Sequence, residues 1–200
     1  MRLNKLSKLI FSTILMVITF ASMSACTNNQ MQYVMDTYGY ENAYIPDGTS
    51  YLTLSEETAY YYAGSVSGDY NTAALWSIAK ADASSSQLDI GTTTNSSSAF
   101  RFYAYTDNDG NNAINSYGFL NHKIVGSYIN YNDYYMGSFS VDQMKDIAIH
   151  EMGHTLGLDD IDASDVLNYT VMWFQYDTSF TTFTDYADFD LENIHWQYGE

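Results

Sequence analysis

The chain has 200 residues, which is enough for one domain. Its 24 acidic residues against seven Lys and Arg give a formal net charge of −17 at pH 7, which excludes charge-driven binding to nucleic acid or to anionic membrane surfaces. The single cysteine excludes a disulfide within the chain, and the 20 Tyr supply core material that a disordered acidic tail would lack.

Residues 1–25 predict the signal peptide of an exported lipoprotein. Three basic residues precede an apolar run over residues 9–21, which is too short for a comfortable membrane span. Small residues then precede Cys26, as in a bacterial lipobox, so we expect cleavage before Cys26 and lipidation of its thiol. The lipid would hold the protein at the bacterial cell surface or at the outer or periplasmic face of a membrane. An ordinary secretory signal or a short N-terminal anchor is the alternative.

The rest of the chain predicts a short tether over residues 26–35 and one folded domain over residues 36–200. Removal of the signal leaves four strong bases against all 24 acids, or −20. The first predicted elements, in chain order, are strand 50–53, helix 71–83, strand 87–91, strand 100–105, a polar loop 106–116, and strands 118–125 and 127–131. Three tryptophans are expected in the core: Trp76, Trp173 and Trp196.

A second helix is predicted from Ser140 onwards. Ser140 and Gln143 have the spacing of a capping box, which opens a helix. Apolar residues then recur at helical spacing, from Met144 to Thr155. A last helix is predicted over residues 189–198. Strands and a helix followed by these two helices indicate an α+β fold with a mixed, twisted sheet.

The most informative run lies near the end of the second helix and reads His-Glu-Met-Gly-His over residues 150–154. Residues four apart share one face of a helix, so His150 and His154 can bind the same metal ion. Glu151 can reach a water on that ion. A solvated helix with two uninvolved histidines is the alternative interpretation.

The residues after this run predict a third ligand. Gly157 permits the left-handed turn with which many helices end, and that turn can bring Asp160 back toward the two histidines. Three protein ligands with one open position are typical of a catalytic zinc site, whereas structural sites are closed by four ligands. The neighbouring Asp159 is the competing candidate, because only spacing separates the two.

Together with the zinc motif, four other segments resemble the metzincin zinc peptidases, and the matrixin branch in particular. Residues 74–77 are similar to the first matrixin helix, and residues 118–122 to the edge strand that binds substrate. Residues 171–176 resemble the Met-turn and the specificity-pocket wall, and residues 190–199 resemble the C-terminal helix with its Tyr-Gly ending. These similarities occur in the same order as in the family.

The resemblance implies a single metzincin-like domain, monomeric, that hydrolyses peptide bonds in extracellular or cell-surface proteins. It implies zinc ligation by His150, His154 and Asp160, general base catalysis by Glu151, an apolar floor from Met172, substrate-strand contacts from Leu120 and Asn121, and a pocket wall from Tyr176. The third ligand departs from the matrixin pattern, which has His where this chain has Asp160. Carboxylate oxygen is also an accepted zinc ligand.

Matrixins carry a second, structural zinc, and here the sequence matches only in part. His122 and Asp109 occupy two of the four matching positions, but Asp107 and Tyr128 occupy the others. A calcium ion bound by the 106–116 loop, or by oxygens near residues 130–133, is as compatible with the sequence as a plain solvated loop.

Two other classes of function remain open from the sequence. One is a non-catalytic surface lipoprotein or adhesin that uses zinc structurally, although such a protein has no need of Glu151. The other is a zinc amidase that acts on cell-wall peptides, although the matrixin-like edge strand favours protein or peptide substrates.

Overall fold

The structure is a computed structural model that describes residues 52–161, 170–173 and 183–199. The predicted signal peptide, Cys26, the tether and Tyr176 lie outside the described residues. Within them, no helix is both long and apolar enough to cross a membrane.

Six strands of the described chain form one sheet. They are β1 Thr53–Leu54, β2 Thr58–Tyr62, β3 Asp89–Thr92, β4 Phe100–Tyr105, β5 Ala113–Leu120 and β6 Lys123–Asn132. Five of them run parallel in the order β1-β6-β4-β2-β3. The sixth, β5, is antiparallel to β6, and its second edge is open as far as the described residues extend. The predicted mixed sheet is confirmed.

Four helices accompany the sheet. They are α1 Gly68–Ala83, α2 Asp133–Met136, α3 Val141–Thr155 and α4 Asp188–Tyr198, with a short 3-10 turn at Ser55–Glu57. Helices α1 and α3 pack against each other, and α3 also contacts β5 and β6. The core between helices and sheet contains adjoining aromatic rings from three parallel strands: Tyr61, Phe102 and Tyr131. This arrangement places the C-terminal half of α3 beside the open-edged β5.

The strand predicted over residues 118–125 is wrong, because the chain reverses within it. Asn121 and His122 both have left-handed backbone angles, with φ of 52° and 61°, and form the turn between β5 and β6. Two consecutive left-handed residues make the tight turn that matches the twist of a hairpin. Strand β5 also begins at Ala113, inside the predicted polar loop.

The helix predictions hold with small shifts, but one side chain expected in the core lies outside it. Helix α1 begins at Gly68, three residues before its predicted start, and α4 begins one residue early, at Asp188. Trp196 is 53% exposed, because it lies on the solvent side of α4.

Candidate metal centre

Helix α3 carries the two histidines, and its ends are set as the sequence predicts. The hydroxyl of Ser140 accepts from the backbone nitrogen of Gln143 at 3.3 Å, and the Gln143 amide oxygen accepts from the Ser140 nitrogen at 2.9 Å. After Thr155 the chain turns at Gly157, whose φ is 89°. A Cβ there would overlap the carbonyl oxygen of Leu52, so the turn requires glycine for space as well as for its angle.

The turn brings the three predicted ligands together. Asp160 Oδ1 lies 3.1 Å from His150 Nε2 and 3.6 Å from His154 Nε2. One ligand atom from each of the three residues lies within 4.8 Å of the other two. Among the described residues, these three side chains form a group that could hold a metal ion. The side chains are buried or nearly so.

The backbone fixes which imidazole nitrogen of each histidine faces the centre. His150 Nδ1 lies 2.9 Å from the carbonyl oxygen of Val171, and His154 Nδ1 lies 3.0 Å from that of Leu158. A carbonyl oxygen only accepts, so each Nδ1 carries the proton and donates. Each Nε2 therefore presents a lone pair to the centre, which is the tautomer that binds metals.

Burial disfavours the charged form of each of the three side chains. It lowers the pKa of His150, and burial together with the neighbouring His150 lowers the pKa of His154 to about 3. Burial raises the pKa of Asp160 to about 7. Asp160 Oδ1 is a buried oxygen without a hydrogen-bond partner, although it lies 3.1 Å from His150 Nε2. Two lone pairs and an unpartnered carboxylate oxygen that converge in a buried place fit a cation.

Glu151 lies beside the first ligand and faces β5. Its side chain is only 6% exposed, and burial raises its pKa to about 8, an effect that a hydrogen bond from the backbone of Asn115 partly offsets. A carboxylate in this environment holds a proton more firmly than an exposed one. A raised pKa of this kind is a common property of carboxylates that act as general bases.

Asp159 has a different role from its neighbour. Its Oδ1 accepts a hydrogen bond from the backbone nitrogen of Asp160 at 2.9 Å. It therefore supports the turn, while Asp160 joins the two histidines.

Met172 packs against α3. It is fully buried, and a Cβ on Gly153 would overlap its sulfur, which explains why the histidine motif has glycine at that place. The Met172 carbonyl oxygen also accepts from the nitrogen of Ile161 at 2.8 Å. Residues 170–173 thus pack against both the helix and the turn that carries Asp160.

Asp190, on α4, is a supporting residue whose role was not inferred from the sequence. It is fully buried, and its carboxylate accepts from the Thr170 hydroxyl at 2.6 Å and from the Val171 nitrogen at 2.8 Å. Val171 in turn provides the carbonyl for His150. An acidic residue in the first turn of a helix is ordinary in sequence, so nothing in the pattern distinguishes it.

The two predicted substrate-strand residues lie away from the centre. Leu120 ends β5 and is 65% exposed, and Asn121 is in the hairpin turn. The β5 residue next to Glu151 is Asn115, roughly 16 Å upstream of Leu120 at about 3.3 Å per residue. Of the other candidate, Tyr176, nothing is described.

The positions that match a structural zinc site do not assemble one among the described residues. The side chain of Asn132, a fully buried residue at the end of β6, lies among the residues of the 106–116 loop instead. Its Nδ2 lies 2.8 Å from the Asp107 carbonyl, 3.0 Å from Asp109 Oδ1 and 2.9 Å from the Asn111 carbonyl. Oxygens that could surround a cation here surround an amide donor.

No protein-family model matches the chain, and no curated protein matches it.

Proposed function

We propose that this protein is a zinc-dependent endopeptidase of the metzincin type. The observation that carries the proposal is the buried convergence of His150 Nε2, His154 Nε2 and the unpartnered Asp160 Oδ1, with Glu151 beside them. The sequence resemblance to matrixins supplies the type of peptidase.

The donor set favours zinc. Two neutral imidazoles and one carboxylate are a ligand set found in catalytic zinc sites, and three protein ligands leave a position for water or substrate. Bound there, Zn²⁺ supplies a Lewis acid that polarises a carbonyl group and makes water more acidic.

Glu151 is the proposed general base. It accepts a proton from the attacking water and delivers it to the amine that leaves when the peptide bond breaks. Its buried surroundings support this assignment, because a raised pKa makes the carboxylate a stronger proton acceptor. The Val171 and Leu158 carbonyls hold the two imidazoles in the orientation that leaves their Nε2 atoms available.

Strand β5 is the proposed binding surface for an extended peptide. Its open edge offers backbone donors and acceptors, and its residue Asn115 lies against Glu151. A peptide that adds a strand to such an edge is held by main-chain hydrogen bonds, so the edge supports cleavage of many sequences.

Digestion of a peptide library by the purified protein tests the proposal. We expect cleavage, one zinc per chain by elemental analysis, loss of activity with 1,10-phenanthroline, and recovery when zinc is restored. Zinc binding without cleavage would favour the non-catalytic lipoprotein. Cleavage confined to cell-wall peptides would favour the amidase.

We also propose that the protein is exported and lipid-anchored through Cys26. In a bacterial host, the wild-type protein is expected in the membrane fraction and labelled by palmitate. Cys26→Ser should release it to the soluble fraction. Membrane association of the unlabelled Cys26→Ser variant would instead favour an uncleaved N-terminal anchor.

A further inference from the structure

A closed polar network lies under α3, at the level of Glu151. The Asn115 side-chain nitrogen donates to the carbonyl oxygen of Glu151 at 2.6 Å and to the hydroxyl of Thr155 at 2.9 Å. The Ser127 hydroxyl donates to Asn115 Oδ1 at 2.7 Å and lies 2.9 Å from the Thr155 hydroxyl. Tyr61 completes the set, at 2.7 Å from Thr155. The network joins α3 to three strands of the sheet.

The direction of every bond in the network follows from hydrogen counting. Ser127 gives its one hydroxyl hydrogen to Asn115, so Thr155 must be the donor in its bond with Ser127. Thr155 then has no hydrogen left, so Tyr61 must donate to it. Both amide hydrogens of Asn115 are also used. Such a fully satisfied buried network specifies one arrangement of its members.

Asn115 is the member that contacts Glu151. Its side-chain amide donates to the carbonyl oxygen of Glu151 at 2.6 Å, and its backbone lies near the Glu151 carboxylate, whose pKa it lowers. The side chain is 6% exposed and points from β5 toward the helix, where an apolar residue would be expected in an ordinary strand.

We propose that Asn115 is a positioning residue that fixes Glu151 against β5. The side-chain bond ties the Glu151 backbone to β5 and so sets where α3 lies relative to the strand. Its catalytic consequence rests on the proposed peptidase function; the positioning itself does not. Asn115 thereby aligns the proton acceptor with the strand edge that would hold the substrate.

Three variants test this inference. Asn115→Leu removes both amide donors at similar volume, and Asn115→Asp removes the same donors but keeps the acceptor for Ser127. Thr155→Val is the matched control, because it breaks the same buried network and leaves the bond from Asn115 to the Glu151 carbonyl in place. Thermal unfolding of each variant measures the general loss of stability.

The first measurement uses the metal-free protein and needs no activity. In the NMR spectrum, the nuclear Overhauser effect between the backbone amide proton at position 115 and the Glu151 γ-methylene should be present in the wild type and in Thr155→Val. It should be weakened several-fold in whichever Asn115 variant folds. An unchanged effect in the folded Asn115 variants would overturn the inference.

The second measurement compares kinetics with zinc bound. We expect kcat of the Asn115 variants to fall by about 100-fold with KM within about twofold, whereas Thr155→Val keeps kcat within about threefold. Zinc affinity, measured by competition with a chromophoric chelator, should change little in all three. Equal kcat losses in Thr155→Val and the Asn115 variants would mean that Asn115 only stabilises the fold, which would contradict the inference. If the NMR result is as expected but the wild-type protein cleaves no peptide, the peptidase proposal is overturned and the positioning role of Asn115 stands.

Discussion

The carboxylate of Asp190 accepts a hydrogen bond from the backbone nitrogen of Val171 at 2.8 Å, and so connects the last helix to the metal centre. On the other side of the same residue, the Val171 carbonyl accepts from His150 Nδ1 at 2.9 Å. The fully buried Asp190 also accepts from the Thr170 hydroxyl, so residues 170 and 171 are both held against α4. Orientation of the first ligand therefore depends on a residue 40 positions further along the chain.

Asp190→Asn should weaken metal binding without touching a ligand. The amide group cannot accept from all the donors that surround the carboxylate, so the Val171 carbonyl loses its fixed position and His150 its orientation. Loss of such a supporting contact costs about 10–100-fold in metal affinity. Chelator competition measures this, with Asp188→Asn as the control, because Asp188 is an exposed acid in the same first turn of α4. Equal affinities in both variants would contradict the connection.

Glu151→Gln should stop cleavage and leave zinc in place. Glutamine has the same size but cannot accept the proton, and removal of a general base costs about 10²–10⁴-fold in rate. The zinc content by elemental analysis should stay at the wild-type value, since the ligands His150, His154 and Asp160 are intact. Cleavage at the wild-type rate by this variant would show that Glu151 is not the base.

The two adjacent aspartates should differ in their effect on zinc binding. Asp160→Ala removes a ligand atom of the buried group, so zinc affinity should fall by at least about 100-fold. Asp159→Ala removes only the bond to the Asp160 nitrogen, so a loss within about tenfold is expected. Isothermal titration of both metal-free variants with zinc makes the comparison. The reverse order of affinities would assign the third ligand to Asp159.

The parts of the centre that are close in sequence could be predicted, and the parts that are distant could not. His150 and His154 are one helical turn apart, and the capping box and Gly157 define that helix and its end. Local rules of helix geometry therefore suffice for the ligands. In contrast, the contact between Asn115 and Glu151 joins residues 36 apart, and depends on the height of a helix above a sheet.

Strand β5 shows why some strand boundaries were predicted wrongly from the sequence. Strand β5 has polar residues on its inward face, Asn115 among them, so the alternation that predicts a strand is absent at its start. Its end was hidden because the turn at Asn121 and His122 has no glycine, the usual sign of a two-residue hairpin. The apolar run on both sides of that turn then reads as one strand.

The loop around Asn132 should be stable without calcium. Its amide nitrogen faces the Asp107 and Asn111 carbonyls and the Asp109 carboxylate, which are the oxygens a calcium ion would need. We expect the unfolding midpoint to be the same with calcium and with EGTA, in the zinc-loaded protein. Asn132→Ala should lower the unfolding free energy by roughly 1–3 kcal/mol, because three part-buried acceptors lose their donor. A midpoint that rises with calcium would favour a bound ion.

A half-buried acid on α3 should make the folded state less stable as the pH rises. Burial raises the pKa of Asp146 to about 7, and its Oδ1 accepts from the Phe183 nitrogen at 2.8 Å. The native state then holds a proton on Asp146 that the unfolded chain releases near the ordinary value of 3.8. The Asp146 contribution to stability is therefore full below that value, declines as the pH rises toward 7, and is lost above it.

Asp146→Asn removes this dependence while its amide oxygen still accepts from Phe183. In urea unfolding of the metal-free protein, the variant should be more stable than the wild type at pH 8, by roughly 1 kcal/mol once solvent screening of a half-exposed group is allowed for. The difference should shrink steadily toward pH 5. Asp69→Asn, at an exposed acid in the first turn of α1, is the control for removing a surface carboxylate. A pH-independent difference between Asp146→Asn and the wild type would mean that packing, and not ionisation, separates them.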